Sequence, residues 1–212
     1  IVGEFGSIEG FSWITSAYLL TSSAVMPLYG KLGDLFGRKY VLITVIVLFA
    51  VGSIACAAAV SMETLIAARV LQALGGGGIM VSVFSVNADI FTARERAKYQ
   101  SYTSLVLMLA GAIGPTLGGF LTDHFGWRSI FLINVPIGLA VVTGLSILLP
   151  YKRPRRTPKI DYLGAALLAG TIASLVLWAD SPTLFGSLIS TESLAIIAAG
   201  CVCAIAWVLV ER

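Results

Sequence analysis

Gly30-Lys31-Leu32-Gly33-Asp34-Leu35-Phe36-Gly37-Arg38-Lys39 is a short charged stretch between two long apolar ones. Residues 10–30 on one side and 40–62 on the other contain no Asp, Glu, Lys or Arg. A helix rises about 1.5 Å per residue, so about 20 apolar residues span a hydrocarbon core of roughly 30 Å. The stretch is therefore predicted to be a tight turn between two membrane-spanning helices. Its three glycines, Gly30, Gly33 and Gly37, permit positive φ angles or close helix contact.

The composition agrees with a membrane protein. Hydrophobic residues make up 58% of the chain, charged residues 12%, and the mean hydropathy is +0.93. Soluble domains carry about 25% charged residues. The net charge of +3 does not indicate a nucleic-acid partner, because the cations lie between apolar runs and not on one soluble surface. The expected partner is the lipid bilayer.

Further charge-free runs cover residues 70–88, 99–122, 129–151, 162–179 and 193–210. With the first two runs they predict seven transmembrane helices, because irregular backbone is not tolerated against lipid and the alternating period of barrel strands is absent. The predicted fold class is an all-α integral membrane protein.

The distribution of cations predicts the orientation. If the chain crosses at each run, one side holds twelve Lys and Arg residues and the other holds Arg128, with Arg69 set aside as intramembrane. The twelve are Lys31, Arg38, Lys39, Arg94, Arg96, Lys98, Lys152, Arg153, Arg155, Arg156, Lys159 and Arg212. Since cytoplasmic loops retain Lys and Arg, the short basic loops are expected in the cytoplasm and the chain in a cell membrane. The turn at residues 89–98 is otherwise interpreted as a solvated charged loop.

Arg69 is the one charge inside an apolar run. A buried cation usually faces a polar cavity, which makes Arg69 and the nearby Gln72 candidate cavity residues. The alternative is that Arg69 extends to the nearby interface. The following run, Gly75–Gly78, carries no side chains and permits close packing or bending.

The residues 111–119 read Gly-Ala-Ile-Gly-Pro-Thr-Leu-Gly-Gly. Pro115 in a helix crowds the residue four positions back, and Gly111 makes room there. Gly114 and Gly118 form a face of small residues that lets a neighbouring backbone approach, and Gly119 extends the small-residue run. An ordinary helix-packing motif is the alternative interpretation.

These motifs resemble the major facilitator superfamily of transporters. The pattern G-x-L-x-D-x-x-G-R-K between that family's second and third helices is matched at Gly30, Leu32, Asp34, Gly37, Arg38 and Lys39, with a departure at Leu35. Arg69 and Gln72 are similar to its fourth-helix motif, with a departure at Ala73, and the family's arginine is implicated in proton coupling. Gly111, Gly114, Pro115, Gly118 and Gly119 resemble the fifth-helix motif of its antiporters, and residues 127–138 its drug:proton antiporter sixth helix.

The order of segments implies a domain organisation. Residues 1–151 are expected to form an N-terminal transporter bundle that holds family helices 2 to 6, followed by a basic cytoplasmic linker at 152–160. Residues 161–212 then return to the membrane as two additional helices, which resembles the 14-helix drug:proton antiporter branch. Because the chain begins at Ile1 without Met, it is interpreted as a fragment whose first helix and C-terminal half belong to the rest of the parent transporter.

The resemblance implies proton-coupled efflux of drugs or other small amphipathic compounds by alternating access, with a proton gradient as energy source and no cofactor. In this mechanism Asp34 is expected to hold a cytoplasmic gate by pairing with a helix N-terminus of the second half. Asp34, Asp89, Asp123 and Asp161 all lie at span ends, so proton coupling follows from resemblance alone. The alternatives are an uptake transporter of the same superfamily for a sugar or organic acid, and a membrane-embedded sensor or enzyme. No HExxH or nucleotide-binding loop supports an enzyme, and no catalytic or metal-binding residue is proposed.

Overall fold

The computed structural model describes residues 2–5, 8–151 and 162–210, and every regular element in these ranges is an α-helix. The first five are α1 Val2–Phe5, α2 Ile8–Phe36, α3 Arg38–Ala57, α4 Met62–Ile90 and α5 Ala93–Phe125. The others are α6 Arg128–Leu132, α7 Asn134–Leu148, α8 Tyr162–Ala179, α9 Ser181–Phe185 and α10 Thr191–Val210. The predicted all-α class is confirmed. The proposed linker 152–160 lies outside these ranges, and the division of the chain into domains stays a prediction.

The seven predicted spans correspond to α2, α3, α4, α5, α6 with α7, α8 and α10. Five segments are long and apolar enough to cross a membrane: Arg38–Ala57, Met62–Ile90, Ala93–Phe125, Arg128–Leu148 and Thr191–Val210. Leu163–Ala179 in α8 is a shorter apolar helix. The 29-residue α2 is long enough to span a membrane but is not among these five, and its sequence contains Ser, Thr, Tyr and Pro residues.

The helices pack around α4, which lies against both α2 and α3. α7 packs on α3, α8 packs on α2, and α10 packs on α8. Successive long helices run in alternate directions, so the bundle has two ends. The Arg38 end holds the turn between α2 and α3, and the Arg128 end holds α1 and the corner between α5 and α6.

Missing side chains let α4 approach its neighbours closely. A Cβ added to Gly75 collides with the backbone of Phe49 in α3, and one added to Gly77 collides with the carbonyl oxygen of Ser22 in α2. A Cβ on Gly52 of α3 in turn collides with the backbone of Gln72 in α4. The close packing predicted for Gly75–Gly78 is therefore present on both sides of α4.

The predicted turn at residues 30–39 is shorter than expected. α2 continues through Gly30 and Gly33 to Phe36, and only Gly37 leaves the helix, with φ 90°. An L side chain rarely adopts such a φ, so glycine is needed here. Of the two roles that the sequence left open for these glycines, positive φ occurs at Gly37 and not at Gly30 or Gly33, which lie within the continuous helix.

Two of the prolines inside helical segments differ in their surroundings. Pro115 lies within a continuous α5, whereas the span that contains Pro136 is interrupted at Ile133, between α6 and α7. A proline has no N–H to donate to the carbonyl four residues earlier, which for Pro136 belongs to Leu132, the last residue of α6. The regular hydrogen-bond pattern is interrupted there, although Ile133 keeps right-handed helical angles of φ −60° and ψ −26°.

The connection between α4 and α5 is not simply a solvated loop. Arg96 donates from Nη2 to the carbonyl oxygen of Ala88 at 2.5 Å and from Nε to that of Phe91 at 3.1 Å. Thr92 and Glu95 form a capping box at the start of α5. The guanidinium thus satisfies carbonyls at the end of α4 that have no helical partner.

The glycine contacts generate a test of the packing. We expect Gly75→Ala to lower the free energy of unfolding by about 1–3 kcal/mol, because the added methyl meets backbone atoms that cannot rotate away. The matched control is Gly144→Ala in α7, where nothing lies within 4 Å and alanine should stabilise the helix by about 0.5–1 kcal/mol. Thermal unfolding of the protein in detergent measures both. Changes of the same sign in the free energy of unfolding of both variants would contradict the close contact between α4 and α3.

Candidate functional site

Arg69 lies in α4, and its guanidinium contacts α2 and its own helix. Its Nη1 donates to Gln72 Oε1 at 2.6 Å and its Nε donates to the carbonyl oxygen of Ile14 at 3.3 Å. The guanidinium carbon also lies 4.1 Å from the centre of the Tyr18 ring, a cation–π arrangement. Of the two sequence interpretations, these contacts match an inward-facing arginine and not one that extends to the interface.

Gln72 connects Arg69 to two further helices. Its side chain is 1% exposed, and its Nε2 donates to Ser53 Oγ in α3 at 2.7 Å. Ser53 Oγ donates to the carbonyl oxygen of Phe49 at 2.8 Å and accepts from Asn134 Nδ2 of α7 at 3.4 Å. We call Arg69, Gln72, Ser53, Asn134 and Tyr18 the Arg69 centre.

The centre presents a fixed positive charge. Within the described residues, Arg69 makes no ion pair with a carboxylate, and its partners are an amide, a carbonyl and an aromatic ring. Such a cation attracts an anionic group and favours the ionised form of an acid that approaches it. The centre holds no carboxylate of its own in the described part of the chain.

A second polar cluster lies at the Arg38 end. Arg38 Nη2 is 3.1 Å from Asp34 Oδ1, and its Nε is 2.9 Å from Asp89 Oδ2 of α4. Arg38 also donates to the carbonyl oxygen of Ser85. Arg38 therefore ties the end of α2 and the start of α3 to the end of α4.

These ion pairs are partly exposed, which limits their strength. The exposed fractions of the side chains are 27% for Arg38, 55% for Asp34 and 41% for Asp89. Ion pairs of this exposure contribute about 0–1 kcal/mol each. A junction of this strength can open and close again.

The other predicted residues of this motif have structural positions. Lys39 Nζ donates to the carbonyl oxygen of Ser146 in α7 at 2.8 Å, and Leu32 packs on the apolar cluster around Val45. A Cβ on Gly30 would meet nothing within 4 Å. Lys39 therefore connects α7 to the Arg38 end of α2, α3 and α4.

The predicted fifth-helix motif lies apart from both clusters. No residue of α5 is buried, and Cβ atoms added at Gly111, Gly114, Gly118 and Gly119 would meet nothing within 4 Å. The small-residue face that includes Pro115 therefore has no close neighbour among the described residues.

Sequence reasoning missed Asp89, Ser53, Asn134 and Tyr18 as members of these clusters. The available signal was polar residues inside apolar runs for Ser53 and Asn134, and an acid at a span end for Asp89. That signal does not tell which polar residues share a helix-helix contact, because partners such as Ser53 and Asn134 are 81 residues apart.

Two buried serines provide a test of the network. Ser53→Ala removes the acceptor of Gln72, so we expect it to lower the free energy of unfolding by about 1–3 kcal/mol. Ser82→Ala removes a buried hydroxyl that has no hydrogen-bond partner in the described structure, so stability should stay equal or rise. Thermal unfolding in detergent compares the two. Equal losses would mean that the Ser53 hydrogen bonds do not stabilise the fold.

The chain is similar in sequence to a known family of membrane transporters. Residues 1–211 match the family model of the Major Facilitator Superfamily. An uncharacterized MFS-type transporter of Mycobacterium tuberculosis is 38% identical over 190 residues, which cover 88% of this chain and 28% of that protein. Multidrug resistance protein 3 of Bacillus subtilis is 36% identical over 178 residues, which cover 83% of this chain and 34% of that protein.

A third relative is similar over a comparable share of this chain. An efflux pump of Dothistroma septosporum is 37% identical over 171 residues, covering 81% of this chain and 29% of that protein. The chain thus spans about a third of the length of these curated relatives, between 28% and 34%. Since the family model covers nearly the whole sequence, the chain belongs to the major facilitator superfamily of transporters.

Proposed function

We propose that this chain is part of a membrane transporter that exports drugs or other small amphipathic compounds by alternating access. The observation that carries the proposal is that relatives matching more than 80% of the chain are a multidrug resistance protein and an efflux pump by name. The chain spans about a third of their length, so the remainder of the parent transporter, including a first helix and a C-terminal half, completes the cavity. Alternating access requires two bundles that move against each other.

The proposed energy source is a proton gradient. An inward-facing Arg69 supports this, because a fixed cation depresses the pKa of an acid that approaches it and so adjusts proton binding and release. The acid itself is proposed to come from the parent outside this chain, since the Arg69 centre contains none in the described residues. The pair α8 and α10, following the bundle, supports assignment to the 14-helix branch.

The proposed orientation places the Arg38 end in the cytoplasm, because twelve Lys and Arg residues lie on that side in the sequence. Asp34 is then at the cytoplasmic gate. Its carboxylate contacts Arg38 and stays 55% exposed, so it is able to accept a further donor from the second half.

The experiment that tests the proposal is transport by the full-length parent. Everted vesicles containing the parent should accumulate cationic and neutral fluorescent drugs when the interior is acid, and a protonophore should abolish accumulation. Equal drug accumulation with and without a proton gradient would contradict proton coupling. Movement of a sugar or organic acid without any drug movement would favour the uptake alternative.

For the gate, we expect Asp34→Asn in the parent to reduce the efflux rate about two- to thirty-fold, the factor equivalent to a contact of about 0.3–2 kcal/mol. The matched control is Asp123→Asn, an exposed acid at the opposite end of the bundle, which should leave efflux unchanged. Initial efflux rates normalised to the amount of inserted protein provide the measurement. An unchanged rate for Asp34→Asn would exclude the gating role.

For the fifth-helix motif, we expect Gly114→Val in the parent to abolish efflux while insertion continues. The chain itself has open space at this position, so the added side chain should not disturb its own packing. Instead it would separate α5 from the proposed neighbour in the rest of the parent. Ala112→Val, an exposed site on the opposite face of the same helix, is the control and should retain efflux. Full efflux by Gly114→Val at normal expression would contradict the proposed contact between α5 and the rest of the parent.

A further inference from the structure

The Arg128 end of the bundle carries a second acid-centred contact that the transporter motifs do not include. The carboxylate of Glu4 in α1 accepts a hydrogen bond from Trp127 Nε1 at 2.6 Å. It also accepts two from Arg128, Nη2 to Oε1 at 2.8 Å and Nη1 to Oε2 at 3.3 Å. Both carboxylate oxygens therefore have charged or polar donors from the corner between α5 and α6.

Arg128 joins a third segment to this contact. Its Nη2 also donates to the carbonyl oxygen of Ala59, in the connection between α3 and α4, at 3.1 Å. Its guanidinium carbon lies 4.4 Å from the Trp127 ring centre, and the edge of Phe5 meets that ring with centroids 5.8 Å apart. Arg128 therefore connects α1, the α3–α4 connection and the corner between α5 and α6.

This contact covers the apolar layer that leads to the Arg69 centre. Trp127 is 9% exposed and belongs to the buried cluster that contains Cys56 and Leu65. The Phe131 ring is perpendicular to Trp127 at 6.2 Å and lies 5.9 Å from the guanidinium carbon of Arg69. One layer of aromatic rings therefore separates the Glu4 contact from Arg69.

The Glu4–Arg128 ion pair is weak enough to open and close. The side chains of Glu4 and Arg128 are 43% and 40% exposed, so water competes for their charges. The Arg128 and Trp127 hydrogen bonds hold the pKa of Glu4 below its usual value, so the carboxylate stays charged at neutral and mildly acid pH. The charged state is lost only as the pH falls through this lowered pKa, so opening would come from movement of the segments and not from protonation at mild acidity.

We propose that Glu4, Trp127 and Arg128 form a reversible clasp that closes the Arg128 end of the bundle over the Arg69 centre. When the Glu4–Arg128 pair separates, α1 and the Trp127 corner move apart and solvent reaches the buried layer. The clasp acts within this chain, so it does not depend on which compound the parent transports or on what drives the transport.

A native thiol reports on this opening. Cys56 is fully buried in the cluster beneath Trp127, and its Sγ lies 3.9 Å from Gln72 Oε1 in the Arg69 centre. Its alkylation rate therefore measures how often reagents reach the centre. Cys201 is exposed and should react at the same rate in every variant.

The experiment is alkylation of the full-length parent in detergent with N-ethylmaleimide, followed by mass spectrometry of the peptides that contain Cys56 and Cys201. We expect Glu4→Gln to raise the Cys56 rate roughly two- to five-fold relative to Cys201, because the ion pair is lost. Arg128→Lys keeps the charge but loses the forked geometry that donates to both oxygens of Glu4, so its rate should fall between wild type and Glu4→Gln.

The control is Glu63→Gln. Glu63 is an exposed acid in the first turn of α4 at the same end and makes no ion pair with the described residues. Its substitution should leave the Cys56 rate unchanged, with melting temperatures confirming that each variant is folded. A wild-type Cys56 rate in either folded clasp variant, or an equal rise in Glu63→Gln, would overturn the proposal. Because no transport is measured, the clasp and the efflux proposal fail independently.

Discussion

The close approach of α4 to α2 and α3 is the constraint on which the rest of the structure depends. Gly75 and Gly77 let α4 meet backbone atoms of its two neighbours, and Gly52 lets α3 meet the backbone of Gln72. At that distance Gln72 reaches Ser53 at 2.7 Å and holds Arg69 at 2.6 Å. Small side chains permit such packing where apolar surroundings provide little drive for helices to associate. The hydrogen bonds of the Arg69 centre therefore depend on Gly52, Gly75 and Gly77, whose lack of a side chain brings the helices close together.

The bundle is uneven in the way its helices are held. α4 is packed on two sides, whereas α5 buries no residue and is fixed near its ends by Arg96 and by the corner with α6. Polar fastenings lie at both ends of the bundle, Arg38 with Asp34 and Asp89 at one and Arg128 with Glu4 at the other. Because these pairs are solvent-accessible, they contribute less to stability than the apolar contacts between them. The bundle thus combines a closely packed middle with partly exposed ion pairs at its ends.

Much of the fold was predictable because its cause is local. Each charge-free run in the sequence is helical, with one interruption at Ile133 between α6 and α7, and the end of α2 before Gly37 follows from a positive φ that suits glycine. Helix ends were less predictable: α2 runs to Phe36 and α5 begins at Ala93, since charged and small residues continue a helix outside the apolar core. Arg69 was identifiable as an unusual charge, but its partners Tyr18 and Ser53 were not. Those partners depend on which faces of separate helices meet.

The sequence by itself determined that the chain is helical and suited to a membrane, and it singled out the charged turn and the isolated arginine. Apolar run length and charge position decide these features, because each helix satisfies its own backbone hydrogen bonds. Only the tertiary structure decided that Arg38 reaches Asp89, that Gln72 joins α3 to α4, and that Glu4 meets Arg128 across 124 residues. Contacts of this kind arise from the relative rotation and spacing of whole helices, which the order of residues along one helix does not reveal.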